Sequence, residues 1–117
     1  MKNSLDVLII GGGIAGLATA LSLHDIGLKP RIFEQAKEIR PLGVGINLLP
    51  HSIRELTELG LKRELRATGV EIDELRFYTQ YGLEIQRESR GIKAGYKWPQ
   101  FSIHRGELQM LLYKAVQ

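Results

Sequence analysis

The chain has 117 residues, 44% of them hydrophobic and 25% charged, which is the composition of one ordinary water-soluble domain. It has no cysteine, which excludes disulfides and thiolate metal sites, and His24, His51 and His104 are too scattered for a metal cluster, so no metal is expected. The net charge of +3 comes from residues 61–117, where ten Lys/Arg are interspersed with seven Asp/Glu; this is not a basic stripe, and no nucleic-acid partner is expected.

Met1 to Ser4 lead directly into Leu5-Asp6-Val7, which is not a signal-peptide pattern. No run of 18 apolar residues follows, so no membrane association is expected and the expected location is cytoplasmic. Val7 to Ile10 is too apolar for a half-solvated strand and predicts a short buried one. In Gly11-Gly12-Gly13-Ile14-Ala15-Gly16, Gly11 permits a tight turn and Gly13 lets backbone approach a pyrophosphate with no Cβ in the way. Gly16 lets helix and strand pack closely.

A helix is predicted from Ile14, with Ile14, Leu17, Ala18 and Leu21 at i, i+3, i+4 and i+7. Leu23 and Ile26 add apolar surface on other sides, as in a helix buried between layers. Its opening N–H groups and positive dipole end point at the phosphates. Gly27 is placed as the C′ residue and Pro30 prevents continuation. Arg31-Ile32-Phe33 predicts a second, parallel strand, ended by Glu34. A carboxylate there accepts hydrogen bonds from both ribose hydroxyls and repels a 2′-phosphate. Strand, glycines, helix, strand and acid in this order point to an adenine dinucleotide.

Beyond Glu34 the simple repetition stops. Gln35 to Leu49, with Pro41, Gly43 and Gly45, is predicted as a long loop. Helical spacing returns over Ile53 to Leu59 and again over Leu61 to Arg66, with Gly60 between them. Val70 to Thr79 and Leu83 to Glu88 flank Gln80-Tyr81-Gly82 and predict a β-hairpin. Gly91 to Pro99 is expected to be loop and Phe101 to Ile103 a short strand. From His104 a helix is predicted with Leu108, Leu111, Leu112, Ala115 and Val116 on one stripe. The fold class expected is α/β: the N-terminal part of a Rossmann-like FAD/NAD(P)-binding domain, βαβ with GxGxxG, plus a small β-hairpin excursion. With no third crossover strand and no capping signal before Gln117, residues 1–117 are expected to be a partial domain, the remainder of it and a substrate domain being absent. An unpaired sheet edge then favours self-association.

Asp6 to Leu17 together with Glu34 resembles the FAD-binding start of flavoprotein aromatic hydroxylases of the para-hydroxybenzoate hydroxylase type. Glu38 to Leu48 looks like their post-acid loop, and Ser102 to Leu108 like their R-x-x-L element. The salicylate-hydroxylase-like and phenazine-modifying members are the most similar. The resemblance implies an FAD cofactor, NADH or NADPH as co-substrate, a small aromatic substrate, and hydroxylation through a C4a-hydroperoxyflavin. It implies cofactor contacts from Gly11, Gly13, Ile14, Ala15, Gly16, Glu34, Gln35, Arg40, Gly45 and Arg105. Physical readings agree for several of these. Gly43 and Gly45 let backbone pass close to a flat ring, and Arg40 offers a fork for pyrophosphate or ribose. A cation at the start of the last helix, Arg105, is unfavourable unless an anion lies nearby. No catalytic residue is assigned. Two alternatives remain open: an NAD(H)-binding dehydrogenase domain, which Glu34 would also serve, and a nucleotide-binding fragment without turnover.

Overall fold

The computed structural model describes residues 6–117; residues 1–5, which carry the reading against a leader, lie outside the described residues. In chain order the elements are β1 (Leu8–Ile10), α1 (Ile14–Asp25), β2 (Arg31–Phe33), β3 (Gly45–Leu48), α2 (Pro50–Glu58), α3 (Lys62–Thr68) and β4 (Val70–Ile72). They continue with β5 (Glu74–Tyr78), β6 (Glu84–Ser89), a 3-10 turn over Gly91–Ala94, β7 (Gln100–His104) and α4 (Arg105–Val116). These fall into two compact units, Met1–Val44 with Arg105–Gln117, and Gly45–His104.

In the first unit β1 and β2 pair in parallel, with Ile9 opposite Ile32. Two further bonds extend the ladder: the Arg31 N–H donates to the Val7 carbonyl at 3.0 Å, and the Gly11 N–H to the Phe33 carbonyl at 2.7 Å. α1 ends where the sequence places its end. Gly27, at φ +86°, donates to the His24 carbonyl and Leu28 donates to that of Leu23, a Schellman arrangement that satisfies two of the last carbonyls. α1 packs on α4, burying Leu17 and Ala20 with Leu108 and Leu112.

Three expectations are corrected in this unit. β1 is not a fully buried strand, since Ile10 is 83% exposed and only Ile9 is half-covered. The sheet has two strands and helix on one side among the described residues, so the alternate side chains face outward. Ile26 of the expected all-round apolar helix is exposed for the same reason. Ala115 and Val116, expected on the apolar stripe of the last helix, are exposed as well.

Gly106 is fixed by packing. A Cβ there would lie 2.3 Å from the Pro41 carbonyl carbon and 2.6 Å from the Leu42 nitrogen, so the start of α4 presses directly on the 41–42 backbone. Gly106→Ala is expected to destabilise the chain by about 1–3 kcal/mol, the usual cost of overpacking. Thermal denaturation measures this, and an unchanged midpoint would mean that the 41–42 segment yields freely.

In the second unit β7 is the centre of a three-stranded antiparallel sheet in the order β3-β7-β4. Ile46 and Leu48 of β3 stand opposite Ile103 and Phe101 of β7. Leu48, Phe101 and Ile103 are buried in one core with Ile53 and Leu56 of α2, and with Leu61 and Leu65 around α3. α2 starts with Pro50 in its first turn, where the missing N–H costs nothing. β5 and β6 form a separate hairpin. Its turn is closed by the Thr79 hydroxyl, which accepts from the N–H groups of Tyr81 and Leu83.

Two boundaries differ from the sequence reading. The loop expected over Gln35–Leu49 ends at Val44, because Gly45–Leu48 is strand β3, paired with β7 from Leu48 opposite Phe101 to Gly45 opposite His104. The first arm of the expected hairpin is split at Asp73: Val70–Ile72 pairs with β7, and only Glu74–Tyr78 pairs with β6.

Candidate functional site

The glycine segment of the first unit places each residue type where its chemistry requires it. Gly11 has φ +112°, a conformation strained for any side chain, and this turns the chain from β1 toward α1. A Cβ on Gly16 would lie 2.1 Å from the Gly11 carbonyl oxygen and 3.3 Å from the Ile9 side chain, so α1 and β1 touch backbone to backbone. At Gly13 the opposite holds. Its ordinary φ of −76° and the absence of any atom within 4 Å of an added Cβ leave open space over the turn.

Gly13 is the N-cap of α1, which has no capping side chain and no acid in its first turn. The Leu17 N–H is used by the Gly13 carbonyl, which leaves the N–H groups of Ile14, Ala15 and Gly16 as the helix's unsatisfied donors. Such a terminus, bare of side chains and facing space that a Cβ would fill, is suited to a pyrophosphate.

Glu34 sits just past β2, as the spacing predicts. Its Oε2 accepts from the Gly12 N–H at 2.6 Å and its Oε1 from the Ala36 N–H at 2.9 Å. These bonds, Ala36 first and then Gly12, hold its carboxyl below the usual carboxylate range. Each oxygen keeps a second lone pair, so the carboxylate is orientated and can still accept from ribose hydroxyls. Because the folded value is lowered, its contribution to stability is complete above its unfolded pKa near 4.5 and is lost as pH falls through the folded value. Glu34→Gln is expected to flatten that part of the acid-unfolding curve. Superimposable wild-type and variant curves between pH 5 and the acid limit would remove this role.

The sequence reading missed Gly12 and Gln109. The Gly12 N–H holds the Glu34 carboxylate, and a Cβ on it would lie 3.2 Å from Glu34 Oε2. From α4, the Gln109 side chain donates to the Gly12 carbonyl at 3.0 Å, bracing the same peptide from the other side. Gly12 occupies the variable position of the motif and Gln109 lies 97 residues away, so neither carried a signal. A cleft of about 550 Å³ opens beside them, lined by Gly12, Ile32, Glu34, Ile39, Met110 and Tyr113 among others.

The remaining candidates are distributed less tightly. Gln35 is exposed next to Glu34. Arg40 is exposed and its Nε donates to Glu38 at 3.0 Å. Arg105 opens α4; its N–H donates to the Val44 carbonyl at 2.8 Å and its side-chain carbons lie alongside Gly43, where a Cβ would meet them at 3.3 Å. Gly43 has φ +120° and is required as glycine by conformation alone. Gly45 belongs to the second unit, where it pairs with His104.

Comparison with known proteins adds four findings. An FAD-binding domain family matches residues 4–113. The phenazine 1,6-dicarboxylic acid hydroxylase PhzS of Lysobacter antibioticus is 50% identical over 113 residues, 96% of this chain and 28% of that protein. The 3-hydroxybenzoate 6-hydroxylase of Polaromonas naphthalenivorans is 34% identical over 97% of this chain and 29% of its own length. Among solved structures, p-nitrophenol 4-monooxygenase PnpA from Pseudomonas putida superposes with a TM-score of 0.84 at 20% identity, covering 98% of this chain and 30% of that one. At that identity the likeness is one of fold. The chain therefore spans between a quarter and a third of the length of these relatives.

Proposed function

The chain belongs to the FAD-binding domain family, and from that premise we propose that it is the dinucleotide-holding part of an NAD(P)H-dependent flavoprotein monooxygenase that hydroxylates a small aromatic substrate. The observation that carries the reading is the conjunction at one end of the β1–β2 sheet: the three free N–H groups of α1, the open space over Gly13, and the fixed carboxylate of Glu34. In this reading Ile14, Ala15 and Gly16 bind the pyrophosphate through backbone N–H groups, Glu34 holds the ribose, and Gly11 and Gly16 shape the turn. By resemblance Gln35 is assigned to the cofactor without a specified end, Arg40 to its pyrophosphate or ribose, Gly45 to the flat ring, and Arg105 to the phosphates or ribityl chain. Bound FAD would supply the redox and oxygen chemistry, while these residues bind and orientate it.

The relatives named above support an aromatic substrate, and we carry a cytoplasmic location as part of the same reading; among the described residues no helix is long and apolar enough to cross a membrane. The dehydrogenase alternative lacks its expected third parallel strand: after Glu34 the next strand is β3, antiparallel to β7 in the other unit. We assign residues 1–117 to part of the FAD domain. Leu8, Ile10 and Phe33 on the outward face of β1 and β2 favour self-association of the chain on its own.

Glu34→Ala in the full-length parent is expected to weaken FAD binding at least about tenfold, through loss of charge-assisted hydrogen bonds to the ribose. Flavin fluorescence titration measures it, and an unchanged affinity would take Glu34 out of the site. The 117-residue chain alone is expected not to hydroxylate aromatic compounds, because the chemistry needs a dry, enclosed ring site. NADH consumption coupled to hydroxylated product, followed by chromatography, would contradict this.

A further inference from the structure

Gly12 is buried and tied down at both of its backbone groups. Its N–H donates to Glu34 Oε2 at 2.6 Å, and its carbonyl accepts from Gln109 Nε2 at 3.0 Å. The first bond orientates the carboxylate assigned to the ribose. The second plays no part in the reading above, and it comes from α4, 97 residues further along the chain.

That second bond fixes how the Gly12–Gly13 peptide is turned. A peptide between two glycines is the easiest kind to turn over, because neither side has a Cβ to restrict its rotation. In a trans peptide the carbonyl and the following N–H point in opposite directions. A Gly12 carbonyl drawn toward α4 therefore aims the Gly13 N–H away from α4. This N–H has no acceptor among the described residues, and it precedes the unsatisfied N–H groups of Ile14, Ala15 and Gly16 at the start of α1. Turned over, the same peptide would aim its carbonyl oxygen, the negative end of its dipole, where that N–H now points.

Gln109 is built to hold the peptide in the first orientation. It is half-buried on a helix anchored against α1 by Leu108 and Leu112, which are 1% and 0% exposed. Its carboxamide donates without carrying a charge, and a carbonyl, which only accepts, can be held by nothing but a donor.

We propose that Gln109 is a positioning residue for the pyrophosphate of the cofactor. By holding the Gly12 carbonyl toward α4 it presents the Gly13 N–H as a fourth phosphate donor, beside those of Ile14, Ala15 and Gly16, and keeps a carbonyl oxygen from facing the anion. The inference rests on the dinucleotide reading above and deepens it, adding one donor and the side chain that aims it.

The test uses the flavin-free full-length parent and two probes, ADP, which carries the pyrophosphate, and adenosine, which does not, each titrated by calorimetry. Gln109→Met removes the donor at nearly constant volume in a residue that suits a helix. It is expected to weaken ADP binding at least about tenfold, the worth of one hydrogen bond to an anion. Adenosine binding is expected to change by less than about twofold, because the bond between Gly12 and Glu34 stays in place. A merely structural role would weaken both probes alike. Gln109→Leu, also without a donor but of different shape, is expected to show the same selective loss. Unchanged ADP affinity, equal weakening of both probes, or failure of both variants to fold overturns the proposal, the last because the bond would then serve the fold. A wild-type parent that binds neither ADP nor FAD removes the flavoprotein reading and this one with it. Wild-type FAD binding together with unselective variants removes this one alone.

Discussion

Gly13→Val in the full-length parent should reduce FAD affinity by roughly a hundredfold or more, the loss of two or so charge-assisted hydrogen bonds, while the protein stays folded. The backbone of Gly13 is at φ −76°, which valine adopts, and no atom lies within 4 Å of the added Cβ, so the free chain has room for it. The fold loses only the preference for glycine over valine at an N-cap, about 1 kcal/mol. The same Cβ then occupies the space in front of the Ile14, Ala15 and Gly16 N–H groups, from which the pyrophosphate would be held. Two readouts are needed: a melting midpoint within a few degrees of wild type, and loss of the yellow colour on purification. A variant that purifies yellow would mean that the glycine segment serves only the turn.

The legible part of this chain is the part built from local rules. β1, α1 and β2 follow from apolar runs and a 3.6-residue spacing, and α1 stops at Gly27 because that position needs positive φ. Glu34 was legible because the motif fixes its distance from the glycines. The errors arise where a partner distant in sequence decides the outcome. Gly45-Ile46-Asn47-Leu48 reads as loop by composition, and it becomes a strand only because Ile103 and Phe101 lie opposite Ile46 and Leu48. Val70–Ile72 looks continuous with the hairpin, yet β7 takes its hydrogen bonds. Within the site, backbone donors were the hidden component. The Gly12 N–H that fixes Glu34 has no side chain to announce it, and Gln109 reaches Gly12 only through the packing of α4 on α1.

Gly16→Ala should produce the opposite outcome to Gly13→Val, and here the fold itself fails. Even a methyl group on Gly16 would lie 2.1 Å from the Gly11 carbonyl oxygen and 3.2 Å from its carbon, contacts that no rotamer change relieves because both partners are backbone. Neither side is free to retreat. Gly11 is held at φ +112° with its N–H on the Phe33 carbonyl at 2.7 Å, and α1 is held on its far side by Leu17 and Ala20 packed against α4. The helix must therefore move off the sheet, at a cost at or beyond the upper end of the usual overpacking range of about 1–3 kcal/mol. Against a total stability of about 5–15 kcal/mol, that is enough to empty much of the native state at physiological temperature. The expected result is low soluble yield and a melting transition lowered by many degrees, with FAD binding lost in parallel with the fold rather than ahead of it. A Gly16→Ala protein that melts with the wild type would show that the contact between α1 and β1 is looser than these distances require, and would leave Gly16 with only a ligand-facing role.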